Sequence, residues 1–275
     1  LKGKLYVVSL PIGNLLDLSP RAEKALQDAD IVAAEDTRVF QTLSQAKNLS
    51  VKKILSHHEH NERQSALGLI DLLKAGKSVA LVSDAGTPGI ADPSHHLVSL
   101  CYEFKIPICP IPGPSSVTAA LSVCPIGGSA HTFVGFAPSK SNARRKLFKE
   151  LSLLDHRFVV FESPHRLKDH LQDALDTLGD THVFIAREMT KTFEECAFGP
   201  ISQHLADYSS KAPKGEFVLV YAPTPKALES EDFDQWLEAR VKEGQATSEI
   251  LKQSASRTKM KRKSLYTKIL NLKKK

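Results

Sequence analysis

The chain has 275 residues, 41% of them apolar and 25% charged, with a formal net charge of +6. Such a length exceeds one typical domain, and the composition is that of a globular protein with a real core, so two or three domains are expected. The longest apolar runs, such as residues 31–34 and 158–161, have strand length, and none approaches the roughly 20 apolar residues of a membrane span.

Residues 1–10 hold two lysines and an apolar run too short for a signal-peptide core, and read as a first strand over residues 4–10. That strand stops at Pro11-Ile12-Gly13-Asn14, a turn by composition. Ser19-Pro20 supplies an N-cap and a first-turn proline for a helix through residue 28. A strand at 30–34, a helix at 37–47 and a helix at 61–75 closed by Gly76 follow. A strand at 78–83, a helix at 93–104, a strand at 107–111 and a helix at 115–123 complete this half.

Residues 125–130, with Gly127-Gly128, mark a boundary between lobes at 1–124 and 125–224. The second lobe restarts with a strand at 132–136, a helix at 141–153 and a strand at 157–161. Ser163-Pro164 opens a helix with Leu167, Leu171, Leu175 and Leu178 on one face, and strands at 182–187 and 216–221 end the series. This alternation predicts an α/β fold in two lobes. Pro223 and Pro225 mark a linker to three short helical patterns at 233–242, 247–254 and 259–272, a helix-turn-helix-like module over 225–275.

Charge is concentrated in that module. Residues 225–275 hold thirteen Lys and Arg against seven Asp and Glu, an excess equal to the net charge of the whole chain. A basic module on a neutral body calls for an anionic partner, nucleic acid or a membrane surface, with a solvated basic tail as the plain alternative. The four cysteines, Cys101, Cys109, Cys124 and Cys196, show neither pairing nor metal-ligand spacing and read as reduced thiols of a cytoplasmic protein.

Four Gly- and Pro-rich segments each follow a predicted strand: Pro11-Ile12-Gly13-Asn14, Asp84-Ala85-Gly86-Thr87-Pro88-Gly89, Pro112-Gly113-Pro114-Ser115 and Glu162-Ser163-Pro164. Open α/β sheets bind ligands outside the carboxyl ends of their strands, so four such loops favour one shared site over four unrelated turns. Thr87, Ser115 and Ser116 are its candidate hydroxyls. Neither a G-x-x-x-x-G-K-[ST] loop nor a G-x-G-x-x-G turn is present, which argues against a kinase, an ATPase or a nicotinamide dehydrogenase. His57-His58-Glu59-His60 lacks further ligands at metal spacing and reads as a polar loop, so no metal is expected. In Ala34-Glu35-Asp36-Thr37-Arg38 the acids either line the cleft or serve as cap and ion pair. Lys140, Arg144, Arg145, Lys146 and Lys149 form a basic run, and His165-Arg166 and Arg187-Glu188-Met189-Thr190-Lys191 stand just past strand ends. Such groups can engage phosphates.

These segments, with His58-Glu59-His60-Asn61, Gly135-Phe136 and Lys214-Gly215-Glu216-Phe217, resemble in order the tetrapyrrole methylase family, specifically its ribosomal RNA-modifying branch, over residues 5–221. The resemblance implies two α/β/α lobes of the tetrapyrrole methylase type, with S-adenosylmethionine in the cleft between them, plus a small C-terminal helical module. It implies methyl transfer to the ribose 2′-hydroxyl of a cytidine in the decoding region of 16S rRNA, within the small ribosomal subunit, by a homodimer. By the same analogy Pro11, Ala85, Gly86, Thr87, Ile90, Ser115 and Ser116 contact the cofactor from the first lobe, and Phe161, Glu162, Met189 and Phe217 from the second. Lys140, Arg144, Arg145 and Arg166, with Lys261, Arg262 and Lys263 of the tail, are expected to hold RNA, and Lys191 joins them on phosphates. Glu188 or Lys191 is the candidate for assisting deprotonation of the hydroxyl, with structural ion pairing as the alternative. A methyltransferase for a small tetrapyrrole shares the cleft but leaves the basic tail unexplained. A non-catalytic RNA-binding protein leaves the four loops idle.

Overall fold

The computed structural model describes residues 3–92, 94–210, 212–223, 230–254, 257–258, 260 and 262–273. In the first lobe β1 (Leu5–Val8), β2 (Ile31–Ala34), β3 (Ile54–Ser56), β4 (Val79–Val82) and β5 (Ile108–Ile111) form a parallel sheet. Its order is β3-β2-β4-β1-β5. The connections are α1 (Pro20–Asp28), α2 (Thr37–Ala46), α3 (Glu62–Lys74) and α4 (His95–Glu103), and α5 (Ser116–Val123) follows β5.

Side chains alternate across a strand, and helices cover both faces of this sheet, so β2 and β4 are apolar throughout. Ile31, Ala33, Val79 and Leu81 pack on Leu69, Ile70 and Leu73 of α3 and Leu97 of α4. Val32, Ala34, Ala80 and Val82 share the opposite cluster with Ala22 and Leu26 of α1 and Phe40 of α2. Ser19 caps α1 as its sequence suggests, its hydroxyl accepting from the Ala22 N–H at 3.1 Å. Because β4, β1 and β5 are neighbours, the three Gly/Pro loops that follow them emerge side by side.

The second lobe holds β6 (His131–Phe136), β7 (Arg157–Glu162), β8 (His182–Arg187), β9 (Glu195–Pro200) and β10 (Phe217–Tyr221) in the order β6-β7-β10-β8-β9. β6 runs parallel to β7, whereas β10 is antiparallel to both its neighbours and β9 to β8. One face is covered by α6 (Ser141–Leu151), α7 (Leu167–Leu178) and α8 (Ile201–Ser210). The other face presents Val159, Phe184, Val218 and Val220 to Val117 and Ala120 of α5. α5, which follows the last strand of the first lobe, thus packs on the sheet of the second.

Three features differ from the expectation. β3, and the pair β9 and α8, have no counterpart among the elements expected from sequence. α7 begins at Leu167 and not at Ser163-Pro164, because the Arg166 N–H closes a turn on the Ser163 carbonyl at 3.2 Å before the helix starts.

A polar network is buried beneath β7 and α7. His170 Nδ1 meets Glu162 Oε2 at 2.9 Å, and its Nε2 meets the Tyr221 hydroxyl at 2.9 Å. With the tyrosine donating, the ring is a satisfied neutral tautomer. Burial holds His170 below its ordinary value of 6.5 and outweighs the hydrogen bond to Glu162, which pulls the other way. The unfolded chain therefore takes up this proton first on acidification, and stability conferred by neutral His170 is lost as pH falls below about 6.5 toward the folded value. His57 and His204, also lowered by burial, act with the same sign. Urea unfolding should show lower stability at pH 5.5 than at 7.5, with a smaller drop in His170→Gln. Greater stability at pH 5.5 would contradict this.

The tail forms α9 (Ser230–Lys242), α10 (Thr247–Ser254) and α11 (Arg262–Lys273). They close on a core of their own: Phe233, Leu237, Ile250, Leu265 and Ile269. Arg262 and Lys263 are exposed on α11, while Lys261 and the linker proline Pro225 lie outside the described residues. Among the described residues no helix is long and apolar enough to cross a membrane.

Candidate active site

A cavity of about 440 Å³ opens between the lobes, within the range of small-molecule sites. Every residue of the expected cofactor set lines it except Pro11. Pro11 is buried, and its neighbour Ile12 takes the place at the wall.

The first-lobe wall is built by cross-linked loops. Leu10 and Gly86 exchange two backbone hydrogen bonds, of 2.8 and 3.1 Å, which pins the loop after β4 to the end of β1. The Thr87 hydroxyl donates to the Pro114 carbonyl at 3.1 Å and lies 2.8 Å from Ser9 Oγ, tying in the loop after β5. Thr87 therefore shapes the wall with its hydroxyl turned into the protein. Ser115 and Ser116 start α5 with no side-chain cap bond at Ser115, and a helix N-terminus of this kind favours a carboxylate or phosphate.

Three acids line the same wall: Glu35, Asp84 and Asp92. Burial first, and then the other nearby carboxylates, raises Glu35 above its ordinary range. Burial likewise raises Asp84 and Asp92. The two readings of the Glu35-Asp36 pair divide between its members. Asp36 accepts the Arg38 N–H at 2.8 Å and pairs with its guanidinium at 2.7 Å, so it is the cap. Glu35 faces the cavity.

On the second lobe the turn after β8 carries two non-glycine residues in the left-handed region, Glu188 at φ +51° and Thr190 at φ +65°. Such strain persists only where its surroundings enforce it. Here it is enforced by Glu188, which accepts from Lys191 Nζ at 2.9 Å and from the Glu216 N–H at 3.0 Å. Lys191 also pairs with Glu216 at 2.9 Å. Gly215 lies so close behind that a Cβ would stand 2.5 Å from Glu188 Cγ, and one on Gly13 would stand 2.4 Å from Lys191 Cγ. The turn presents Met189 to the cavity, while neither Glu188 nor Lys191 lines it.

This revises the expected catalytic pair. The Lys191 hydrogen bond holds Glu188 below its ordinary range, which makes it a weak base. Burial pulls Lys191 down, but Glu188 and Glu216 outweigh it and keep the amine protonated. The pair is an ion-paired brace at the cleft's edge, and the acids with raised affinity for a proton are Glu35, Asp84 and Asp92.

The expected RNA contacts are revised as well. Arg144 is 3% exposed and bound to Asp173 and to the carbonyls of Pro138 and Ser139, which removes it from any phosphate. Arg145 is held by Asp173 at 2.7 Å and Asp176 at 2.6 Å. Arg166 reaches the Ala137 carbonyl and Glu162. Lys140 is exposed at the start of α6. Glu216, Val218, Ser163, Pro164 and Phe136 also line the cavity. Of these, Phe136 stands out as a half-exposed aromatic that no motif role had claimed.

The cavity lies at the junction of two α/β lobes, where small-molecule sites preferentially form. Residues 4–204 match the model of the Tetrapyrrole (Corrin/Porphyrin) Methylases, and the chain belongs to this family. It is 38% identical to "Ribosomal RNA small subunit methyltransferase I" of Synechocystis sp. over 98% of both chains. It is 43% identical to the protein of the same name from Thermotoga maritima, over 79% of this chain and 97% of that one. Among solved structures it resembles the cobalamin biosynthetic enzyme cobalt precorrin-4 methyltransferase, at TM-score 0.58 and 20% identity over 80% of this chain and 94% of that one. It also resembles uroporphyrin-III C-methyltransferase of Thermus thermophilus complexed with S-adenyl homocysteine, at TM-score 0.56 and 15% identity over 79% of this chain and 97% of that one.

Proposed function

We propose that the protein transfers a methyl group from S-adenosylmethionine to the ribose 2′-hydroxyl of a cytidine in the decoding region of 16S rRNA. The observation that carries this reading is the interlobe cavity, lined by the cofactor residues expected of the family, in a chain similar from end to end to a ribosomal RNA small subunit methyltransferase. The cavity's chemistry fits the cofactor. Ile12, Ile90, Phe161 and Met189 offer apolar wall, the start of α5 suits a carboxylate, and Glu35, Asp84 and Asp92 suit its ammonium and sulfonium charges.

The bound cofactor supplies an activated methyl group. The chain's own part is to hold a ribose oxygen in line, exclude water and accept a proton. The first-lobe loops and the Met189 turn fix the walls against which the ribose is placed. A carboxylate of the acidic wall, with its proton affinity raised, would accept the hydroxyl proton, and the bound cofactor would supply the methyl group. The exposed tail cations and Lys140 engage RNA phosphates. The reading includes a homodimer acting in the cytoplasm on rRNA within the small subunit.

Methyl transfer from radiolabelled cofactor to purified small subunits, with the modified nucleotide mapped, tests this directly. Label on a cytidine 2′-oxygen is expected. Cofactor binding without transfer to subunits or free rRNA would overturn the substrate. Replacing Arg262 and Lys263 by glutamine should weaken subunit binding and flatten its dependence on salt, while calorimetric cofactor affinity stays unchanged. An equal loss of cofactor affinity would contradict the tail's assignment.

A further inference from the structure

The aromatic residue Phe136 is 57% exposed at the end of β6, an edge strand of the second lobe's sheet. Its exposure is built in. Phe133 pairs with Val159 and Phe136 with Phe161, so β6 uses one residue more than β7 over this stretch. Gly135, at φ +68°, provides the left-handed step. Strand side chains alternate between faces, and one extra residue moves everything after it to the other face. Without the bulge Phe136 would follow Val134 toward the helices, where Val134 joins the core of α6 and α7. With it, Phe136 joins Phe161 at the cavity wall. A ring that had a core place within reach is instead turned into the cleft.

Its surroundings indicate the ligand. Phe161 meets Phe136 edge-to-face, with centroids 5.5 Å apart, and so covers only part of the ring. β6 lies two places from β10 with Phe217, which separates Phe136 from that end of the cleft by roughly 10 Å. Beside it Arg166 binds the Ala137 carbonyl, and Lys140 is exposed four residues on. An exposed aromatic face near an exposed lysine is a pairing that receives single-stranded RNA, the ring stacking on a base while the ammonium takes phosphate.

We infer that Phe136 is a positioning residue, an aromatic platform on which an unstacked nucleobase of the RNA substrate stacks as its ribose enters the cleft. The inference rests on the proposed RNA substrate. Base stacking accounts for about a tenfold effect or more, so Phe136→Leu, which keeps apolar bulk without the ring, should raise KM for small subunits about tenfold. Its thermal midpoint and calorimetric cofactor affinity should match the wild type, and Phe136→Trp should restore KM. Weakened cofactor affinity with unchanged KM would assign the ring to the cofactor and overturn the inference, as would a Phe136→Leu enzyme equal to wild type on subunits. Absence of transfer by the wild type would instead overturn the substrate reading itself, so the two failures are told apart by the wild-type control.

Discussion

Asp173→Ala should destabilise the protein by about 3–5 kcal/mol, the cost of leaving a buried charge without its partner. The Asp173 carboxylate is 4% exposed and receives Arg144 Nε at 2.8 Å, Arg145 Nε at 2.7 Å and Ser141 Oγ at 2.9 Å. Burial pushes its affinity for a proton up, but these three donors outweigh it and keep the group ionised. Removing the carboxylate leaves the Arg144 guanidinium, equally buried, with the carbonyls of Pro138 and Ser139 at 3.3 Å. In a chain of this size the loss corresponds to a fall in Tm on the order of 10 °C. The double variant Arg144→Met with Asp173→Leu should recover much of it, since apolar packing often replaces a buried ion pair at little cost. Calorimetric melts of the two variants and the wild type check this, and an Asp173→Ala melt within 2 °C of wild type (roughly 1 kcal/mol or less) would refute the assignment.

Gly86→Val should lower cofactor affinity at least tenfold. Gly86 has φ +74°, a conformation that costs a side-chain-bearing residue about 1–2 kcal/mol, and more for a β-branched one. A Cβ there would stand 3.4 Å from Ile12 Cγ2, so the added methyl groups press on another residue of the cavity wall. Relief requires moving the loop, which breaks the paired hydrogen bonds to Leu10 and displaces Ala85 and Thr87 together. Isothermal titration with S-adenosylmethionine measures the loss. Gly68→Ala is the control, since nothing lies within 4 Å of a Cβ at that position on α3, and it should leave affinity unchanged. Equal affinities for Gly86→Val and wild type would show that this loop does not shape the site.

Legibility in the sequence followed the range of the interactions involved. β2 and β4 were readable because strands buried on both faces are continuously apolar, and α1 because Ser19-Pro20 is a local signal. β9 escaped because its residues Glu195, Cys196 and Phe198 are exposed on an edge strand and carry no alternating pattern. The cavity was legible as loops, since Gly and Pro punctuate strand ends. What those loops enclose depends on strand order, which places β4, β1 and β5 side by side. The roles of the charged residues were least readable. Arg144 looks like part of a basic surface until Asp173, 29 residues away, is brought against it. Lys191 looks like a catalytic cation until Gly13, Glu188 and Glu216 close around it. Phe136 was visible only as part of a motif, because its face is decided by a single bulge.

The packing of α5 decides from which side one end of the cavity is held. Val117 and Ala120 of α5 are locked against Val218 and Val220, and all four are nearly or wholly inaccessible to solvent. Peeling the helix from that sheet would wet every apolar side chain it covers, at a cost that grows with the area exposed. Ser115 and Ser116, which line the cavity where this helix begins, are therefore anchored from the second sheet although they follow the last strand of the first.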